Sequence, residues 1–166
     1  MIRGGFEVSD EKPHIKPMIS DLYSGSILDA AAAIPAARRL AAPDASAKKV
    51  SRICGSEVEI DLKVEDKVVT DFAMIAKACA LGQASASILA RNIIGVRVEE
   101  LYKLRDEMRA MLKENGPPPQ GERWTDLATL EPIRDYPQRH TSTLLVFEAV
   151  CSGLDQLGFG SKNPQP

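Results

Sequence analysis

Between residues 57 and 76 the chain follows a strand pattern. Val58, Ile60, Leu62 and Val64 alternate with Glu57, Glu59, Asp61 and Lys63, the period of two of a strand with one buried and one wet face. Glu65-Asp66-Lys67 interrupts the alternation, and Val68 to Ala76 resumes as a β-branched and apolar run, so the two segments predict an antiparallel hairpin. A three-residue loop centred on Asp66 sets Val64 opposite Val68, Ile60 opposite Phe72 and Val58 opposite Met74, apolar against apolar. A two-residue loop at Asp66-Lys67 shifts the pairing by one and sets Ile60 opposite Ala73. The first register is preferred and the second stays open. A short strand from about Lys49 to Ile53 completes a three-stranded antiparallel sheet, one face of which needs cover.

Helical periods supply that cover. Asp21 to Ala33 carries an apolar stripe through Leu22, Ile27 and Leu28 and ends at Pro35. Gln83 to Ile94 presents Ile88, Leu89, Ile93 and Ile94. Val98 to Asn115 presents Leu101, Leu104, Met108 and Leu112 opposite a charged, solvated face, and is stopped by Asn115-Gly116 and three prolines. A last helix runs from Thr141 or Ser142 to Leu157, with a hydroxyl residue as N-cap and Leu144, Phe147, Val150 or Cys151, and Leu154 facing inward. Between these lie a surface loop with a solvated Arg38-Arg39 pair, a stiff polyproline-like linker from Gly116 to Arg123, and a short apolar turn after Trp124. The prediction is an α+β fold: a three-stranded antiparallel sheet covered by helices, one domain over residues 19–158 between a disordered tail, 1–18, and a frayed one, 159–166.

Composition narrows the function. A formal charge of -2 gives no basic patch interleaved with aromatics, which argues against nucleic acid as a partner. No apolar run approaches the ~20 residues of a spanning helix, which argues against a membrane. The first eighteen residues mix acids and prolines and do not read as a signal peptide. Three cysteines is an odd count without framework spacing, pointing to reduced thiols and a cytoplasmic location.

Two of those cysteines matter to the hairpin. Cys54 and Cys79 flank its turn almost symmetrically, so either register brings them abreast, or one residue off, at the open end. Two thiols held side by side are half of a soft-metal site. Gly82 can make a sharp exit after Cys79, and a helix starting at Gln83 or Ala84 would aim backbone N–H groups at the site and lower the Cys79 thiol pKa. Cys151 stands ten residues beyond Thr141, ~15 Å along the helix axis, and its apolar neighbours assign it to the core. His14 falls in the tail. No G-x-S-x-G, H-E-x-x-H or P-loop motif occurs.

The pieces CGS at 54–56, TDFAMIAKAC at 70–79 and ALGQASAS at 80–87 resemble the U-type iron-sulfur cluster scaffold family, the IscU, SufU and NifU N-terminal proteins. The resemblance extends weakly from Tyr23 through the helix after His140. It implies a SufE/NifU-like sandwich on which a [2Fe-2S] cluster is assembled from iron and from sulfur delivered by a cysteine desulfurase, then passed to acceptor apo-proteins. It implies Cys54, Cys79 and His140 as ligands of the cluster, or of iron or zinc in its place, with a monomer or weak homodimer as the working form. Two positions depart from the family. Ser56 stands where its members carry an aspartate, and His140-Thr141 matches the place of a third cysteine, often preceded by histidine; Ser56 and Thr141 are therefore weaker site candidates. The proline-rich chaperone-recognition segment is not reproduced in DYPQRH. On this reading the chain is a scaffold and not an enzyme. The alternatives are a sulfur carrier that accepts a persulfide on a low-pKa thiolate, Cys79, and a cluster-free paralogue that acts only in protein interaction.

Overall fold

The computed structural model describes residues 23–162. The tail expected at 1–18 and the start of the first expected helix, Asp21-Leu22, lie outside them.

A single antiparallel sheet orders β1 (Ala45–Val50), β2 (Glu57–Glu65) and β3 (Val68–Lys77) in sequence, and helices fill its inner face. The β2–β3 turn takes the two-residue form: Asp66 and Lys67 both adopt positive φ, 51° and 65°, which matches the right-handed twist of the flanking strands. Glu65 pairs with Val68 and Val64 with Val69. A bulge then absorbs Thr70, so that Leu62 faces Phe72, Ile60 faces Met74 and Val58 faces Ala76. The preferred three-residue loop is thus corrected, while apolar-to-apolar matching survives because the bulge adds a second one-residue shift and restores the parity of the inner face.

Val58, Ile60 and Leu62 are buried under α4 (His140–Gln156), where Gly153 lies so close to the sheet that a Cβ would come within 3.1 Å of Leu62. α1 (Gly25–Ala32) begins at Ser24, whose hydroxyl accepts from the Ile27 N–H, and packs on α2 (Ala80–Asn92). α3 (Val98–Lys113) buries Leu101, Leu104, Met108 and Leu112 as its period requires, and carries Glu99 and Glu100 in its first turn, where the helix dipole favours them.

Four expectations change. β1 lies at 45–50, four residues earlier than expected at its start. The segment after the prolines is no short turn: Glu122–Asp135 winds as an extended 3-10 run that buries Trp124, Leu127, Leu130 and Ile133, with the Trp124 indole N–H donating to Glu100. Residues Phe159–Lys162 form one more 3-10 turn instead of fraying, with Phe159 against the core; residues 163–166 lie outside the described chain. Finally, the loop at 34–44 is tied down. Arg39 makes a two-pronged pair with Asp61 at 2.8 Å for each contact, and the Leu40 N–H and Ser46 hydroxyl also bond that carboxylate. Asp61 belongs to the outer face by alternation, yet it is 0% exposed because this loop crosses over it.

Candidate thiol site

The open end of the hairpin presents the two thiols. Cys54 sits in a tight loop closed by backbone bonds from the Ser51 N–H to the Ser56 carbonyl and from the Gly55 N–H to the Ser51 carbonyl, both 2.8 Å. Gly55 at φ 77° makes this reversal, a conformation that a side chain would oppose. The loop surrounds the Cys54 sulfur with hydroxyls: Ser51 Oγ at 3.5 Å and Ser56 Oγ at 3.1 Å. Burial of the sulfur pushes its pKa up; hydrogen bonds from the Ser51 and Ser56 hydroxyls, the Ser56 backbone N–H and the Ser142 hydroxyl outweigh this and bring the thiol down to about 7. The residue as a whole remains exposed.

Cys79 arrives from the other side. It is the N-cap of α2, which starts at Ala80, three residues before the expected position, and its carbonyl accepts from the Gln83 N–H. Gly82 is not the loop exit but a first-turn helix residue. A Cβ there would stand 2.9 Å from the Ala78 Cβ and 3.2 Å from the Ser142 carbonyl oxygen, so its lack of a side chain lets α2 meet the start of α4.

That close approach places a hydroxyl beside Cys79. The Ser142 hydroxyl lies 3.8 Å from the Cys79 sulfur and stands close enough to Cys54 to make a small contribution to the lowering of that thiol's pKa. Cys54 from the β1–β2 loop and Cys79 from the β3–α2 junction both lie at the open end of the hairpin, with Ser142 of α4 beside Cys79.

The remaining site candidates separate. Ser56 is 4% exposed and in contact with Cys54, as expected of its position. The His140 ring is buried, with Nε2 at 3.1 Å from the carbonyl oxygens of both Ile133 and Arg134. Carbonyls only accept, so Nε2 carries the proton, and the imidazole latches the 3-10 run to the start of α4. Thr141 lies in a groove with Lys49, Lys113, Leu144, Leu145 and Glu148. It is not a cap either, because α4 begins at His140 with Arg139 as N-cap; the Ser142 and Thr143 hydroxyls donate back to the Arg139 carbonyl. Among the described residues no three His, Cys, Asp or Glu side chains converge on a metal-sized site. The arrangement therefore combines two sulfurs with the hydroxyls of Ser51, Ser56 and Ser142. Sequence reasoning passed over Ser51 and Ser142 as site residues. The serine directly after Thr141 was the available signal, hidden by a one-residue uncertainty in where α4 starts.

Cys151 is buried inside α4 and bonds the Leu101 carbonyl at 3.8 Å; burial first, with nearby acids adding to it against Arg105, raises its thiol to about 12.

A three-stranded antiparallel sheet with helices on one face defines an α+β fold. The chain belongs to the NifU-like N-terminal domain family, whose model matches residues 23–143. It is 32% identical over 109 residues to the iron-sulfur cluster assembly scaffold protein IscU of Thermotoga maritima, covering 63% of this chain and 72% of that one. Among solved structures, the N-terminal part of a nitrogen-fixing NifU-like protein from Brucella abortus superposes with a TM-score of 0.83 at 51% identity, over 87% of this chain and 99% of that one. A SUF-system scaffold candidate from Fervidobacterium islandicum AW-1 shares the fold, with a TM-score of 0.75 at 18% identity over 82% of this chain and 99% of that one. No helix among the described residues is long and apolar enough to cross a membrane.

Proposed function

We propose that this chain holds a labile iron-sulfur cluster of the [2Fe-2S] type, or iron or zinc, between Cys54 and Cys79, receives the sulfur from a cysteine desulfurase and gives the cluster to acceptor apo-proteins. The observation that supports this reading is that Cys54, its thiol lowered to about 7, and Cys79, 3.8 Å from the Ser142 hydroxyl, both lie at the open end of the hairpin. Thiolates are soft ligands suited to iron-sulfur cargo and zinc, and an open loop end leaves room for ligands supplied by sulfide or a partner. On this reading the protein is a scaffold and its cysteines act as ligands. It works in the cytoplasm, in keeping with three free thiols.

The test is anaerobic incubation with iron, cysteine and a cysteine desulfurase, followed by absorption spectra and iron and sulfide analysis. Cys54→Ala and Cys79→Ala should each abolish cluster formation and Cys151→Ala should leave it intact. Equal loss in all three would overturn the reading, and metal-free protein with inert thiols would favour a role in protein interaction alone.

A second reading, the sulfur carrier, draws support from the exposure of Cys54 and its serine donors, and moves the acceptor from Cys79 to Cys54. The Cys54 thiolate would attack the terminal sulfur of a desulfurase persulfide. A new S–S bond forms on Cys54 as the old one breaks, and the electron pair leaves on the desulfurase thiolate. A mass gain of one sulfur atom on the Cys54 peptide, without iron, distinguishes this course from cluster assembly.

A further inference from the structure

We infer that Ser142 sets how firmly the site keeps its cargo: its hydroxyl occupies the third corner beside Cys54 and Cys79, so that only two of the three corners are sulfur. The inference rests on the reading of the cysteine pair as a soft-metal site.

The geometry is that of a ligand corner. With metal–sulfur bonds near 2.3 Å, neighbouring sulfurs of a tetrahedral site stand ~3.8 Å apart, and the Ser142 oxygen lies 3.8 Å from the Cys79 sulfur, so a sulfur at this position would have the spacing of a third ligand. The same hydroxyl stands close enough to Cys54 to make a small contribution to the lowering of that thiol's pKa. Its place is set by packing: Ser142 is 2% exposed, its backbone carbonyl abuts Gly82, and its hydroxyl also donates to the Arg139 carbonyl at 3.2 Å. Thr141, one residue earlier, is turned by 100° on the helix and shares its groove with Lys49 and Lys113.

Chemistry follows from the identity of that one atom. A serine hydroxyl holds its proton at neutral pH and is a poor donor to a soft cation. Its single proton goes either to the Arg139 carbonyl at 3.2 Å or to one thiolate at a time, and when it goes to a thiolate it draws electron density from that sulfur and weakens its hold on a metal. Exchanging oxygen for sulfur at this position would add a third soft ligand and remove that donor together.

The probe is cobalt(II) alone, titrated anaerobically into wild type, Ser142→Cys, Ser142→Ala and Thr141→Cys. Sulfur-to-metal charge-transfer absorbance counts thiolates, and its decay after chelator addition measures retention. Ser142→Cys should raise the absorbance about 1.5-fold, as two sulfurs become three, and slow the decay at least tenfold. Thr141→Cys should match wild type on both measures. Ser142→Ala should keep the wild-type intensity and move the band to lower energy, because the sulfurs lose a hydrogen bond; a merely structural serine would leave the band where it is. Equal behaviour of Ser142→Cys and wild type, or a gain in Thr141→Cys alone, overturns the inference. Should wild type bind no cobalt while Ser142→Cys binds it through three sulfurs, the two-thiol reading fails and the place of Ser142 stands. Absence of binding in every folded variant overturns both.

Discussion

A thiol at about 7 beside an exposed loop makes Cys54 the residue whose chemistry is open to direct measurement. Its alkylation by iodoacetamide, followed on the Cys54 peptide, should rise through pH 7 as the thiolate forms. Ser56→Ala removes a donor at 3.1 Å, so the midpoint should move upward and the rate at pH 7 should fall roughly threefold. An unmoved midpoint would mean that Ser56 does not stabilise the thiolate. That Cys54 and Cys79 lie at the same end of the hairpin was legible in the chain, because the two positions flank its turn almost symmetrically. His140 and Thr141 were not. A helix turns its residues by 100° each, so a one-residue error in where α4 begins sends the wrong side chain to the site. The His140 ring bonds carbonyls of a 3-10 run that had read as a short turn, leaving no local pattern from which its orientation could be deduced.

The 34–44 loop shows how an element can depend on one buried charge. The Arg39 guanidinium beside Asp61, with Ser46 and the Leu40 N–H, outweighs burial and holds the carboxyl down at about 2, below its ordinary 3.8. Because the folded value is the lower one, the stabilisation is complete above pH 3.8 and is lost as the pH falls from there toward 2. Asp61→Asn should cost about 2 kcal/mol at neutral pH and show a smaller further loss than wild type between pH 4 and pH 2.5. Urea midpoints at the two pH values give the comparison, and an equal acid loss in both proteins would count against it. Alternation correctly assigned Asp61 to the outer face; it could not show that a distant arginine would close over that face. The bulge at Thr70 escaped detection for a related reason, since two successive single-residue shifts restore the hydrophobic match that a register argument relies on.

At an element junction, Gly82→Ala tests the approach of α2 to α4. The added methyl would meet the Ala78 Cβ, in the β3–α2 connection, at 2.9 Å and the Ser142 carbonyl, in the first turn of α4, at 3.2 Å. A loss of about 1–3 kcal/mol is expected from overpacking, together with weaker cobalt binding as Ser142 is displaced. Wild-type affinity in a destabilised Gly82→Ala would show that the junction supports folding alone.

Across the whole molecule the core is continuous from α1 through the sheet to the 3-10 run, as a chain of 166 residues permits. Folding should therefore be independent of metal: chelator treatment should leave the far-ultraviolet circular dichroism unchanged and alter Tm only through ligand linkage. Cys151, held up at about 12 chiefly by burial, should resist alkylation until the protein unfolds, and its labelling should follow the urea transition. Early labelling of Cys151 under native conditions would reveal an opening of α4 from α3. The sheet-plus-helix architecture could be read from periodicity because both periods are strong where the core is. The long 3-10 run could not, since its three-residue repeat with a proline inside, Pro132, follows neither pattern.

The sheet has a further consequence in its margins. The outer edge of β3 is occupied at three places: Val69 exchanges backbone bonds with Gly95 and Val96, and the Arg38 N–H bonds the Met74 carbonyl while its guanidinium takes that of Phe72. At β1, Gln156 covers the Ser46 carbonyl at 2.7 Å, and Lys48 and Lys49 follow directly along the strand. Recognition by strand addition, in which a visiting peptide extends the sheet through main-chain pairing, is thereby discouraged on both sides. Proteins that meet this chain are directed toward its side-chain surfaces, and growth of copies into a shared ladder is hindered at both edges.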